Sequence, residues 1–446
     1  MAYTETTSTS WFSRIGSSFK GIGTGLFLII AGTGLLWWNE GSFVKTRDAL
    51  NETQAVTQEL GDVSTLNAAM NGKVIHASGT AATNDVLSDP EFGVNENAMG
   101  LSRKVEYYQW VENAKSEKRK KLGGGEETVT VYTYEKKWVP SPVDSEYFKD
   151  PDAKRNNRNS TLIAVKDQKW TAKDVSFGAY KLPDFFISSI GGEKTLDIDL
   201  PKETLDKLNE SILQANPALK PKLLPQLPVL PAPAAQAPSQ AEQAAAGAVA
   251  DLLKNVANQV YQETVAEIPQ YVHAKGNTIY IGASEVSHQI GDVRITYKAV
   301  PERADISIIA KLNGNTFERV MASNGKSVSK LSMGTVSMEN MFGQAHSSNS
   351  TMTWVLRVVG TLIVIAGLKL VLAPLAVIGD VVPLVGTIIG AGVGIVSTLI
   401  GIAWSLIIMA IAWLRFRPAI AGIMIAVAAA LIVLVFVKGR GKKAAA

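Results

Sequence analysis

Hydrophobic and polar positions along the chain fall into two regimes, long apolar runs near both ends and a mixed, alternating middle. Gly21 to Trp38 is an uncharged run of 18 residues, about the shortest that spans a bilayer core. It closes on Trp37 and Trp38, which suit an interfacial belt. No small-x-small cleavage site follows, so the pattern predicts a retained transmembrane helix over 21–38 rather than a cleaved leader. In the preceding stretch, 1–20, Trp11, Phe12, Ile15 and Phe19 recur at helical spacing and predict an amphipathic segment at the interface. At the other end, the cluster 354–437 divides into three predicted spans, Trp354 to Leu372, Val385 to Leu414 and Pro418 to Val437. Between the first two, Ala373 to Leu384 holds Pro374, Gly379, Asp380 and Pro383, a composition that predicts a broken or interfacial segment.

The middle reads as strands. Arg103–Val111 and Thr128–Trp138 alternate and are rich in Val, Tyr and Trp, and the basic, Gly-rich stretch Lys115–Gly125 between them predicts a hairpin with a long tip. Asp305–Leu312, Thr316–Ala322 and Ser327–Met333 are separated by Asn313-Gly314 and Asn324-Gly325, the strongest short hairpin signal, and predict a three-stranded antiparallel meander. Seven prolines between Asn216 and Ala246 mark an extended linker. Ala241–Glu267 has helical composition and overlaps its end. The extramembrane domain is therefore expected in two parts, 39–215 and 268–353, split by a linker and helix at 216–267. The fold class is a membrane protein with four transmembrane α-helices, one N-terminal and three C-terminal, and a large β-rich α+β domain. A small OB-like or Greek-key barrel is compatible with it.

Charge refines this picture. The two end regions carry ten of the 44 Lys and Arg but only Glu5 and Asp380 among the acids. That leaves 34 basic and 38 acidic residues between Asn39 and Thr353, so the domain is no basic nucleic-acid binder. Arg14 and Lys20 at one end and Lys438, Arg440, Lys442 and Lys443 in the tail 438–446 place both termini in the cytoplasm and the domain outside it. Arg415 and Arg417 lie in the loop before the last span and vote the other way. Either they snorkel at the domain-side interface, or one segment does not cross. The chain has no cysteine, which excludes disulfides, thiolate zinc sites and cysteine nucleophiles.

No catalytic, cofactor-binding or metal-binding set emerges. His76, His273, His288 and His346 show no i, i+4 metal spacing, and His76, within a strand-like stretch, reads as a packed or surface side chain. Gly325-Lys326-Ser327 mimics the end of a P-loop, but Val320 stands where the first glycine belongs, so a turn is expected. No G-x-S-x-G is present. Asp380 is a candidate intramembrane polar residue. The structural alternatives are an interfacial position, a helix cap, or a pair with Lys369. Gly386, Gly390 and Gly394 form a small-xxx-small stripe, and Gly21 with Gly25 repeats the spacing. Either set serves helix packing within the chain or oligomerisation.

Ordered short motifs then become readable. Asn39-Glu40-Gly41 with Lys45-Thr46 follows the first span. Leu87-Ser88-Asp89-Pro90, Phe92-Gly93-Val94, and Arg103 with Val105-Glu106 come next. Tyr108-Gln109-Trp110-Val111-Glu112, Trp138, Phe148 and Phe185-Phe186-Ile187-Ser188-Ser189 follow. Gly291-Asp292-Val293-Arg294 leads into the meander, Ser348-Asn349-Ser350 with Thr353-Trp354 and Leu356-Arg357 opens the second span, and Arg417-Pro418 precedes the last. In this set the chain resembles the transmembrane protein 43 (LUMA) family over nearly its whole length. Two features depart from the animal pattern: the Pro/Ala insertion at 216–267, and Asp152–Asn159, which lacks the family's His-x-Asn-Pro. The alanine-rich, cysteine-free composition points to a bacterial member.

The resemblance implies a four-span, non-enzymatic membrane protein. Its animal members, of the endoplasmic reticulum and inner nuclear membrane, self-associate and bind emerin and lamins. For this chain it implies a self-associating scaffold that organises membrane or envelope structure. Membrane lipids, further copies and other membrane proteins are the expected partners, and the inner membrane with a periplasmic domain is the expected place in a bacterium. An ion channel or transporter through the C-terminal helices, motivated by Asp380, and a lipid-binding extramembrane domain remain as alternatives.

Overall fold

A computed structural model describes residues 2–220 and 269–419. The predicted linker and helix at 216–267 and the last predicted span, Pro418–Val437, lie almost wholly outside these residues. Among the described residues, three helices are apolar and long enough to cross a membrane: Trp11–Val56, Met338–Gly379 and Leu384–Phe416. The first is continuous through the predicted span and runs on for 18 residues past Trp38. Ser10 caps its start, accepting from the Ser13 amide. The second absorbs Pro374 and stops at Gly379, with Asp380 as its C-cap. The predicted break thus narrows to Asp380–Val382, and the third helix begins at Pro383, where a proline costs no intrahelical bond.

The first and second helices cross backbone to backbone. A Cβ on Gly25 would stand 2.7 Å from the Gly367 carbonyl, and one on Gly32 would stand 3.0 Å from that of Gly360. Among the glycines singled out in the sequence, Gly25 therefore packs within the chain, whereas Gly21 meets only Leu370 at 4.0 Å. The partners Gly360 and Gly367 are seven residues apart and escape a search for four-residue spacing. A Cβ at Gly386 would collide with the Asp380 carboxylate; at Gly390 it would meet only Ala376, at 4.0 Å, and at Gly394 no described residue within 4 Å.

The domain contains two sheets. One centres on Val94–Lys120, paired with Val293–Pro301 on its domain portion and with Glu126–Val139 along its outer half. This is the predicted hairpin, but its strands run to Lys120 and resume at Glu126, so the tip is short and the hairpin projects as an arm. Residues Ala2–Thr9, within the predicted amphipathic stretch 1–20, form a strand instead and add a third strand to the arm by pairing with Glu126–Thr133. The second sheet closes on itself. Val74–Thr83 pairs with Arg303–Asn313, then Thr316–Glu318, Tyr180–Lys181 and Val175–Phe177 lead back to Val74–Thr83. Its interior is filled by Ile75, Phe177, Tyr180, Ile306, Ile308, Leu312 and Phe317, all buried, each large side chain contributing about 2 kcal/mol of burial.

The meander forms only in part. Asn313-Gly314 makes the expected turn, with Gly314 at φ +59 and Asn313 opposite Thr316. Lys330–Met333 then pairs not with Thr316–Glu318 but with Ile306–Ile309, on the same edge of the central strand. The stretch after Glu318 is held by the bridge Met321–Ser327 instead of a full ladder. That deviation aims the 320–328 segment at the helices. Successive residues of a strand face opposite sides. Ile306 and Ile308 accordingly fill the barrel, while Ile309 turns outward onto Ala49, Leu50, Val328, Met341 and Phe342. This small third core seats the domain on the helix ends.

Candidate functional site

Where the first two helices leave the hydrophobic zone, the motif residues of the sequence converge. Glu40 is fully buried. Its Oε1 accepts from Arg357 Nε at 2.6 Å and its Oε2 from Arg357 Nη2 at 2.8 Å, a fork-to-fork pair. Trp413 Nε1, from the third helix, donates to the same Oε2 at 2.8 Å. The guanidinium also lies over the Trp354 ring, 4.7 Å from its centroid. Asn349, Thr353 and Arg357 recur every fourth residue and so share one helix face. Asn349 donates to the Phe43 carbonyl at 3.1 Å, and Thr353 receives Asn39 on its carbonyl at 3.1 Å. Gly41 is small for a reason, because a Cβ there would stand 2.8 Å from the Phe416 ring. Arg417 lies over Phe43 at 4.3 Å.

The junction therefore binds three helices with one carboxylate and ties them to the domain by a short polar seam. Lys326 Nζ donates to Ser42 Oγ, Asn324 to the Lys45 carbonyl, and Ser323 to the Glu52 carboxylate. The segment Gly325-Lys326-Ser327 is thus a turn, as its poor match to a P-loop required. Arg415 and Arg417 end the third helix at the domain end of the bundle. Pro418 follows at the edge of the described residues and carries no contact relevant here.

The remaining motif residues lie within the domain, apart from this junction. Asp89 is buried and takes Arg103 Nη1 at 2.7 Å and the Tyr297 hydroxyl at 2.6 Å, with Pro90 in the turn behind it. Burial pushes the Tyr297 hydroxyl upward, and its bond to the Asp89 carboxylate adds to that. Gln109 spans Ser160 and Val143, and Trp110 lies under Lys136. Gly291 adopts φ +104 against Ser160, a conformation open to glycine. It delivers Asp292 to the Tyr280 hydroxyl and the Gln289 amide. Burial raises the Asp292 carboxyl, against the Gln289 amide, the Tyr280 hydroxyl and His288, which favour its charged form. His76 is buried between Glu59 and the Val336 carbonyl, a packed histidine as read from the sequence. The aromatic residues Tyr108 and Trp138 pack edge-to-face against His288.

Asp380 sits at the opposite end of the bundle, buried, and pairs with Arg14 at 2.6 Å and Lys120 at 2.5 Å. Lys369, its suggested partner, is exposed on the second helix and lies elsewhere. Trp11 Nε1 donates to the Val377 carbonyl there at 2.9 Å. Trp413 and Lys120 were not singled out by the sequence, and Arg14 was singled out only for its charge. Trp413 carried a signal in its place at the end of a predicted span; Lys120 carried none, since its partner lies 260 residues away. Asp380, which motivated a channel, is here an ion-pair anchor.

A sequence profile of the family "Transmembrane protein 43" matches residues 107–418. Transmembrane protein 43 of Mus musculus is 23% identical over 408 residues, covering 92% of this chain and 87% of its own length; that of Homo sapiens gives the same identity and coverage. The Transmembrane protein 43 homolog of Drosophila melanogaster is 23% identical over 409 residues, 89% of each chain. No solved structure matches.

Proposed function

The chain belongs to the transmembrane protein 43 family, and from that premise we propose that it is a non-enzymatic organiser of the membrane, self-associating through its helices. It is a multi-pass integral membrane protein, and the proposal concerns what such a protein does. The observation that carries it is the Glu40–Arg357–Trp413 junction. A carboxylate shared by three helices and flanked by the domain's 320–328 seam makes domain and bundle move as one body. Whatever orders the helices in the plane of the membrane then orders the domains beside it. Gly390 and Gly394 supply a face on which another helix can approach closely. Further copies and membrane lipids are the partners this reading requires.

The test is native mass spectrometry of the intact protein in mild detergent, beside Gly390→Leu. A defined oligomer in the parent that is lost in the variant is the expected result. A monomer in both, across several detergents, rejects the self-association.

A further inference from the structure

The arm and the helix bundle have the same length, and this creates a physical conflict. From Tyr107, opposite Val139, the arm runs to Lys120, opposite Glu126, about 43 Å at the rise of a strand. On the first helix, Arg14 and Glu40 are about 39 Å apart at the helical rise. The lengths agree because the tip meets the helix ends remote from the domain. Arg14 donates to the Gly124 carbonyl at 2.6 Å, Lys120 pairs with Asp380 at 2.5 Å, and the Gly123 amide reaches the Val381 carbonyl at 3.1 Å. Both lengths exceed the hydrocarbon core of a bilayer, about 30 Å. A bilayer seated on Trp37, Trp38 and Trp354 would therefore enclose the arm along with the helices.

The arm is unfit for that place. Lys115, Glu117 and Lys118 are exposed along it, and Ala2–Thr9 is an edge strand, paired on one side only. Open sheet edges do not occur in lipid, and charged side chains at that depth are strongly disfavoured. Its hydrogen bonds and ion pairs to the helices are concentrated at the tip. Ala2–Thr9 runs through Ser10 into the first helix, so it stays at the far end, and departure of the hairpin Tyr107–Val139 also unzips its ladder with Glu126–Thr133. Arg14 keeps Asp380 paired when Lys120 leaves.

We propose that in the membrane the hairpin Tyr107–Val139 is released from this latch and from Ala2–Thr9, and lies along the domain-side leaflet, its tip bound to anionic lipid headgroups. The tip suits that surface. Lys118, Arg119 and Lys121 are exposed, and Lys120, its side chain 31% exposed beside Asp380, opens further on release. Leu122 beside them is 88% exposed, an apolar side chain ready to enter the interface. Glu117, Glu126 and Glu127 offset part of the charge through pairs with Arg119, Lys118 and Lys121, leaving an excess of cations between 115 and 127. Anionic headgroups compete for those same ammonium groups.

The absence of cysteine makes single reporters clean. Leu122→Cys, Lys169→Cys in the domain and Ser13→Cys at the far helix end are each introduced into the full chain. Each is reconstituted in sealed vesicles and treated with a membrane-impermeant maleimide. Leu122→Cys labels from the same side as Lys169→Cys if the arm is released. Labelling from the side of Ser13→Cys overturns the proposal, since the arm would then cross the bilayer, as it could between copies. A polarity-sensitive dye on Leu122→Cys reports the lipid. Its emission shifts to the blue in nanodiscs containing anionic lipid and not in zwitterionic ones. Each basic residue near an anionic surface is worth about fivefold in partitioning. Lys118→Gln, Arg119→Gln and Lys121→Gln together should therefore weaken the interaction about a hundredfold. An equal shift in both lipids, or none, rejects the headgroup site.

Discussion

The two ends of the helix bundle each hold a buried carboxylate paired with an arginine, and they are built differently. At the domain end, Glu40 and Arg357 both stand on long helices whose crossing is fixed by Gly25, Gly32, Gly360 and Gly367, and a tryptophan from the third helix completes the set. At the far end, Asp380 caps one helix, Arg14 begins another, and Lys120 arrives on the end of a strand rooted in the domain. The first cluster is held by elements that pack along their length. The second depends on an arm whose polar contacts with the helices are gathered at its tip and whose edge strand, Ala2–Thr9, leads into the first helix. Similar charges thus make a fixed joint in one place and a latch in the other, and the supporting backbone decides which.

The largest break in this comparison comes from the joint. Glu40→Gln leaves the Arg357 guanidinium buried without its counter-charge, and removing one partner of a buried pair costs about 3–5 kcal/mol. Thermal and denaturant unfolding in detergent should show that loss. Combining Glu40→Gln with Arg357→Met should recover a large share of it, because two neutral groups replace a charge left alone. An unchanged stability in Glu40→Gln would mean that the joint does not hold the bundle.

The latch should respond more weakly. Asp380→Asn removes both ion pairs, but Arg14 keeps Glu126 as a counter-charge at 3.6 Å, and Lys120, 31% exposed, is screened by solvent. The expected cost is about 2 kcal/mol, read in the same unfolding experiment. A loss as large as that of Glu40→Gln would erase the distinction between joint and latch.

How much of this was legible in the sequence follows the same division. The helices were readable because eighteen or more apolar residues admit few other solutions, and the joint was readable as motifs, since Asn39, Glu40, Asn349, Trp354, Arg357 and Arg417 all belong to short ordered pieces. Their convergence was not, because no spacing within a chain says which of two distant helices meet. The barrel closure hung on a single parallel contact, Thr316 with Lys181, too short to leave a periodic trace. The Ala2–Thr9 strand was hidden by composition: a Thr- and Ser-rich stretch reads as a solvated tail until a partner strand is supplied. Lys330–Met333 found the edge of Ile306–Ile309 instead of its neighbour in sequence, where the turn chemistry at Asn324-Gly325 specified a reversal but not the strand that would receive it.

A third carboxylate sharpens the comparison by lacking a cation in its immediate shell. Asp292 is buried and accepts from the Tyr280 hydroxyl and the Gln289 amide, with His288 beyond. Where Glu40 and Asp380 are each met by an arginine, Asp292 is met by neutral dipoles, and burial raises its carboxyl above the ordinary range. The sign follows. A carboxyl whose folded value is raised holds its proton more tightly in the folded state, so its contribution to stability is complete below the ordinary aspartate value, about 3.9. That contribution is lost as pH rises through the raised value. Stability of the parent protein relative to Asp292→Asn should therefore fall as pH increases from about 4 toward neutrality. The change is spread over that window and should be the smallest of the three. It is measured as the difference between two unfolding curves at each pH. A difference that is flat, or that rises with pH, would show that the dipoles around Asp292 hold its charge as firmly as an arginine does.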